Sequence, residues 1–247
     1  MKRLGSAFLF LALSLSASAA DEVNVAVAAN FTKPVEEIGA AFTAQTGHVP
    51  IFSFGATGAL YTQITQGAPF QVFLAADSKT PARAIVDGFG VEGTSFTYAV
   101  GKAVLYSPTL DVTDGEAVLR GGDFSHIAIA DPVTAPYGAA AIAIIDRLGV
   151  TADLSPKQVV GQNISQTLQF VDSGSAELGF VALSQVVDKP QSEVWRVPAE
   201  LYDPILQDGV LLQAGLDSPA AAAFLEFLKG PEAVAVIAKY GYDTADE

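Results

Sequence analysis

Apolar residues in this chain fall into short unbroken runs, and each of several runs ends in a cluster of small polar residues that opens a helical spacing. The first run, Val23-Asn24-Val25-Ala26-Val27-Ala28-Ala29, breaks at Asn30-Phe31-Thr32 and gives way to a helical pattern reaching Phe42. In the second, Val49 to Phe54 reads as a strand, Gly55-Ala56-Thr57-Gly58 as a tight turn, and Ala59 onward as a helix with Leu60 and Ile64 one turn apart. Gln71 to Ala76 is a further strand, followed by a helix from Lys79 to about Asp87 with Asp77 or Ser78 as its cap. Tyr98 to Tyr106 reads as one strand and His126 to Ala130 as the next. The latter runs into Asp131-Pro132-Val133-Thr134-Ala135-Pro136-Tyr137-Gly138, a connector opening a helix with Ile142, Ile145 and Leu148 on one face. A further helix start is Gln162-Asn163-Ile164-Ser165, leading to about Asp172 and then to a strand Leu178 to Leu183. Two final helices begin at Ser218-Pro219 and after Gly230-Pro231, the last ending at Tyr240-Gly241, with polar cap or Pro at the start and Gly at the stop. Strands alternating with helices predict an α/β fold.

The repeated arrangement of strand, polar turn and helix start has a chemical meaning. The first N–H groups of a helix have no intrahelical partner and carry the positive end of the helix dipole, so they can seat an anion without a basic side chain. Taken singly, Asn30 and Thr57 read as ordinary helix caps, and Tyr137 as a packed aromatic. Four such starts in one α/β chain point instead to a shared oxyanion site.

The first twenty residues change the picture of where the chain works. Lys2 and Arg3 precede an apolar core from Ala7 to Leu15 and the small-residue run Ala17-Ser18-Ala19-Ala20, the pattern of a cleaved secretory leader over residues 1–20. The mature chain is expected to begin near Asp21, to be secreted and not to insert in a membrane. There is no Cys, so neither a disulfide nor a lipid-bearing cysteine is available. Removing Lys2 and Arg3 takes the formal charge from −14 to −16, which argues against nucleic acid or an acidic membrane as partner. It also disfavours long-range attraction of an anion, but fields are screened within about 8 Å at physiological ionic strength, so a buried dipolar site still acts locally.

Other chemistries find little support. Gly88-Phe89-Gly90-Val91-Glu92-Gly93 matches G-x-G-x-x-G literally, but it follows a helix and precedes a strand, the reverse of a dinucleotide site. His48 and His126 have no second His or Cys at ligand spacing, so no metal site is expected. There is no G-x-S-x-G elbow and no phosphate-binding P-loop, and a catalytic triad would have to recruit one of those two histidines. No cofactor is implied. A secreted enzyme stays open as an alternative class.

The order of Ala28-Ala29-Asn30-Phe31, Gly67-Ala68-Pro69-Phe70 running into Ala75-Ala76-Asp77, Ala135-Pro136-Tyr137-Gly138, Leu178-Gly179-Phe180-Val181 and Leu228-Lys229-Gly230-Pro231 with Tyr240-Gly241 resembles that of periplasmic molybdate-binding proteins. These are the substrate-binding components of ABC importers, and the similarity covers essentially the whole mature chain. The resemblance implies a two-lobed periplasmic binding protein fold (type II), with mixed sheets flanked by helices and a hinge between lobes. Lobe 1 would comprise residues 21–100 plus 204–247, and lobe 2 residues 101–203. It further implies a monomer that binds molybdate, and tungstate as well, through neutral hydrogen-bond donors and hands it to a membrane permease; another tetrahedral oxyanion such as sulfate is the alternative cargo. Carried over by position, the ligand groups would be Asn30 and Thr57 in lobe 1, and Tyr137 and the backbone N–H of Ile164 in lobe 2. Ala29 stands where some relatives carry a hydroxyl residue, so only its backbone could contribute. One branch of the family uses a Tyr just after the Leu-Gly-x-Val strand, where this chain has Ala182; another carries it in the Ala-Pro-Tyr-Gly turn, as at Tyr137.

Overall fold

The computed structural model describes residues 21–244, so the expected leader at 1–20 lies outside the described residues. The strands are β1 (Glu22–Ala28), β2 (Val49–Gly55), β3 (Val72–Leu74), β4 (Phe96–Gly101), β5 (Ala103–Tyr106), β6 (Ile127–Ala130), β7 (Gln158–Gly161), β8 (Leu178–Ala182), β9 (Val194–Arg196) and β10 (Ile205–Leu211). They form two five-stranded mixed sheets, ordered β2-β1-β3-β10-β4 and β7-β6-β8-β5-β9. In the first sheet β1 lies parallel to both β2 and β3, while β10 runs antiparallel to β3 and β4. The second repeats the plan, with β6 parallel to β7 and β8, and β5 antiparallel to β8 and β9.

The run Tyr98 to Tyr106, expected as one strand, is two. Gly101 ends β4 in the first sheet, Ala103 begins β5 in the second, and only Lys102 separates them. Hydropathy cannot reveal such a division, because both halves are buried and apolar. The chain returns to the first sheet between β9 and β10, two strands that the sequence pattern missed together with β7. β7 is short and half-exposed and β9 has three residues, while β10 carries Gln207 and Asp208 in the middle of an apolar run.

Each sheet has its own core. Helices Thr32–Thr46, Pro219–Lys229 and Pro231–Lys239 cover one face of the first sheet, where Phe42 meets Phe224 edge to face with ring centroids 5.2 Å apart. Helix Pro136–Arg147 supplies Ile144 and Ile145 to the core of the second, beside Leu105, Ile129 and Phe180. Among the described residues no helix is long and apolar enough to cross a membrane.

Candidate functional site

The parallel strands β1 and β2 are neighbours in one sheet, and β6 and β7 in the other, so each sheet delivers two adjacent chain ends to its carboxyl edge, where α/β proteins hold ligands. Beyond β1 the chain forms a single 3₁₀ turn, Ala29–Phe31, that leads straight into helix Thr32–Thr46. Beyond β2 helix Thr57–Thr65 begins after one residue, Ala56. β6 leads through the 131–135 turn to helix Pro136–Arg147, and β7 leads to helix Ile164–Asp172. All four starts converge on one small, partly open pocket lined by Ala28, Ala29, Asn30, Gly55, Ala56, Thr57, Ala76, Ala135, Pro136, Tyr137 and Ile164. The five sequence-derived candidates, Ala29, Asn30, Thr57, Tyr137 and Ile164, are therefore brought together. Every lining side chain is uncharged. Carboxylates of Asp77 and Asp203 and the Lys79 ammonium lie instead in an adjoining open groove.

Local chemistry explains how the chain segments around this space are held. Asn163 precedes helix Ile164–Asp172 and its Oδ1 accepts from the N–H groups of Ser165 and Gln166, leaving the Ile164 N–H at the helix mouth without an intrahelical acceptor. Gly138 lets helix Pro136–Arg147 start hard against β6, since a Cβ there would sit 2.2 Å from the Ala130 oxygen. Across the cleft, Gly58 N–H donates to the Thr134 carbonyl at 2.9 Å, Ser165 Oγ to the Ala29 carbonyl at 3.3 Å and Ser184 Oγ to the Asn30 carbonyl at 2.9 Å. The two halves meet around the cavity.

Capping, the simple reading of Asn30 and Thr57, is not what they do. Thr57 is the first residue of its helix rather than the cap, and its Oγ1 accepts from the Ala76 N–H at 3.0 Å, tying the helix start to the loop after β3. Its own hydroxyl hydrogen is then free to point elsewhere. Asn30 spends Nδ2 on Gln207 Oε1 at 2.8 Å and on the Tyr242 hydroxyl at 2.9 Å, so the group it can offer to the cavity is its backbone N–H. At the helix Lys79–Val86 the capping acceptor is Asp77, whose Oδ1 takes the Thr80 N–H; Ser78 makes no such bond.

Behind the cavity lies a buried polar network that sequence reasoning missed. Gln207 Oε1 also accepts from the Tyr98 hydroxyl at 3.1 Å, and its Nε2 donates to the Tyr137 hydroxyl at 3.1 Å. The Tyr242 hydroxyl lies 2.9 Å from both the Asn30 carbonyl and Ser184 Oγ. Burial, followed by the nearby Tyr242, Tyr98 and Tyr202, pushes the Tyr137 hydroxyl well above the usual tyrosine range, and burial pushes Tyr242 up to about 12. Both remain neutral donors near neutrality. The available hint was Gln207-Asp208 interrupting an otherwise apolar run; a polar side chain inside a buried strand needs partners.

Helix starts and uncharged polar side chains around one pocket, between two lobes of like topology, are a chemistry that can hold an anion by hydrogen bonds. Comparison with known proteins agrees with this construction. The family described as bacterial extracellular solute-binding protein matches residues 23–243. The molybdate-binding protein ModA of Rhodobacter capsulatus is 52% identical over 243 residues, covering 98% of this chain and 96% of that protein. ModA of Azotobacter vinelandii is 52% identical over 230 residues, 92% of this chain and 91% of its own. The solved structure of an Azotobacter vinelandii periplasmic molybdate-binding protein superposes with a TM-score of 0.85 at 38% identity, covering 90% of this chain and 98% of that one. On the family match, the near full-length identity and the shared two-sheet architecture, the chain belongs to the bacterial extracellular solute-binding protein family and stands within it among the molybdate-binding proteins.

Proposed function

We propose that this protein captures molybdate in the periplasm, takes tungstate as well, and presents the loaded form to the permease of an ABC importer. The observation that carries the reading is the convergence of four helix starts, two from each sheet, on one small pocket with no charged side chain in its lining. A tetrahedral dianion accepts hydrogen bonds in every direction and donates none, so it matches a shell of N–H and O–H donors. The proposed donors are the backbone N–H groups of Ala29, Asn30, Thr57 and Ile164 and the hydroxyls of Thr57 and Tyr137. The names of the relatives support molybdate as the cargo.

Residues 21–100 plus 204–247 act as one closing body and residues 101–203 as the other, with Lys102 and the 197–204 segment as the connections that flex. The anion lands on one lobe, the second lobe shuts over it, and the cross-cleft bonds of Gly58, Ser165 and Ser184 accompany closure. In this role the protein is a monomeric carrier without a cofactor and not a catalyst. Calorimetric titration with molybdate, tungstate, sulfate and phosphate tests the reading. Tight uptake of the first two and far weaker uptake of phosphate is expected; equal affinity for phosphate and molybdate at neutral pH would overturn it.

A further inference from the structure

We propose that Gln207 is a positioning residue that aims the Tyr137 hydroxyl at the bound anion and locks this donor of one lobe to Asn30 of the other. The proposal rests on the functional reading above and extends it to a residue that does not line the cavity.

Gln207 lies in β10, the strand on which the chain returns to the first sheet, and it is completely buried. A buried amide is tolerated only when its donors and acceptors are used. Its Oε1 faces two donors, Asn30 Nδ2 at 2.8 Å and the Tyr98 hydroxyl at 3.1 Å. The Tyr98 hydroxyl has one hydrogen, which it shares between Gln207 Oε1 and the Ala75 carbonyl, 2.9 Å away. With Asn30 Nδ2 shared between Gln207 Oε1 and the Tyr242 hydroxyl, turning the Gln207 amide over would set donor against donor, so Nε2 points to Tyr137, 3.1 Å away.

The consequence falls on the Tyr137 hydroxyl. Its oxygen receives a hydrogen from Gln207, so its own hydrogen cannot be given to that partner and goes either to the neighbouring Tyr242 hydroxyl or to the cavity that the side chain lines, where a bound anion is the stronger acceptor of the two. Each bond of the chain from amide to hydroxyl to anion polarises the next. Gly101 keeps this geometry tight, because a Cβ there would lie 2.1 Å from the Tyr137 hydroxyl and 2.5 Å from Gln207 Nε2. One amide thus orients a donor of the second lobe while holding the side chain of Asn30 in the first.

The test is a double-mutant cycle read by molybdate calorimetry and by release rate, with ligand-free melting curves to establish that each variant is folded. Gln207→Met should weaken molybdate binding roughly tenfold, the effect of one charge-assisted bond poorly aimed. In a Tyr137→Phe background the same substitution should change affinity by less than about twofold, because the hydroxyl it aims is gone and Asn30 Nδ2 keeps its bond to the Tyr242 hydroxyl. Equal fold-losses in both backgrounds would overturn the proposal and leave Gln207 a structural amide. Gln207→Glu provides a second readout that keeps the acceptor for Asn30 and Tyr98. Its ionised carboxylate should take the Tyr137 hydrogen away from the anion, whereas its protonated form can donate to Tyr137 as the amide does. Affinity of this variant should fall as pH rises from about 5 to about 8 while that of the wild type stays flat, and parallel profiles would contradict the role. Wild-type protein that takes up no molybdate would refute the functional reading itself, a result distinct from additive losses in a binding-competent protein.

Discussion

Removing the Thr57 hydroxyl separates its two jobs. Thr57 Oγ1 accepts from the Ala76 N–H at 3.0 Å, and both residues are buried, at 1% and 2% exposure. Thr57→Ala therefore leaves a buried amide N–H without its partner, which costs about 1–3 kcal/mol of stability. For a protein of this size that corresponds to a melting temperature lowered by roughly 2–12 °C at about 2–4 °C per kcal/mol. The same substitution deletes one hydrogen bond to the anion, worth about 1.5–3 kcal/mol for a charged acceptor, or roughly a ten- to hundredfold loss of affinity at about 1.4 kcal/mol per decade. Thr57→Ser retains the oxygen and should come close to wild type on both scales. Differential scanning calorimetry of the ligand-free protein and isothermal titration with molybdate measure the two effects independently. An alanine variant that melts lower and binds molybdate as tightly as wild type would refute the ligand role and reduce Thr57 to a tie between helix and loop.

Three further outcomes follow from the packing and the titrating groups. Gly138→Ala forces a Cβ to within 2.2 Å of the Ala130 oxygen; the helix start must back away, at a stability cost of about 1–3 kcal/mol in melting experiments and with weakened molybdate binding. Phe224→Ala removes a ring with 0% exposure from the core beneath Phe42 and should destabilise by about 3–5 kcal/mol, with the affinity of the remaining folded protein unchanged in titration. Because the folded-state value of Tyr242 is raised from 10.0 to about 12 by burial, its contribution to stability is fully present below about pH 10 and is lost as pH rises from there to about 12. Chemical denaturation across that window should show stability falling, and a constant value would contradict neutral burial of this hydroxyl.

The candidate site was more legible in the sequence than the crossings between the two sheets. Asn30, Thr57 and Tyr137 come after apolar runs and open a helical spacing, and Asn163-Ile164 shows as a polar helix start alone, local patterns that need no knowledge of the rest of the chain; the structure gathers them at one pocket. Resemblance to a known family added which of these starts belong together. What stayed hidden was non-local. Tyr98 to Tyr106 is apolar on both sides of Lys102 because both halves are buried, and one lysine within such a run does not mark a passage between sheets. Asn30 and Thr57 look like caps from their neighbours alone, but their actual partners, Gln207, Tyr242 and Ala76, lie 177, 212 and 19 positions away. Gln207 in turn sits in a strand with too mixed a polarity to stand out, and its importance comes only from the three elements that the fold packs around it.

In the proposed role, neutral donors at four helix starts hold a molybdenum oxyanion. A crystal structure of the molybdate complex, with the metal located by its anomalous scattering, tests this most directly. A single peak in the cavity among Ala29, Thr57, Tyr137 and Ile164, with oxygens at hydrogen-bond distance from their N–H and O–H groups, is the result the account predicts. A peak beside a lysine or arginine side chain, or in the open groove near Lys79, would contradict it.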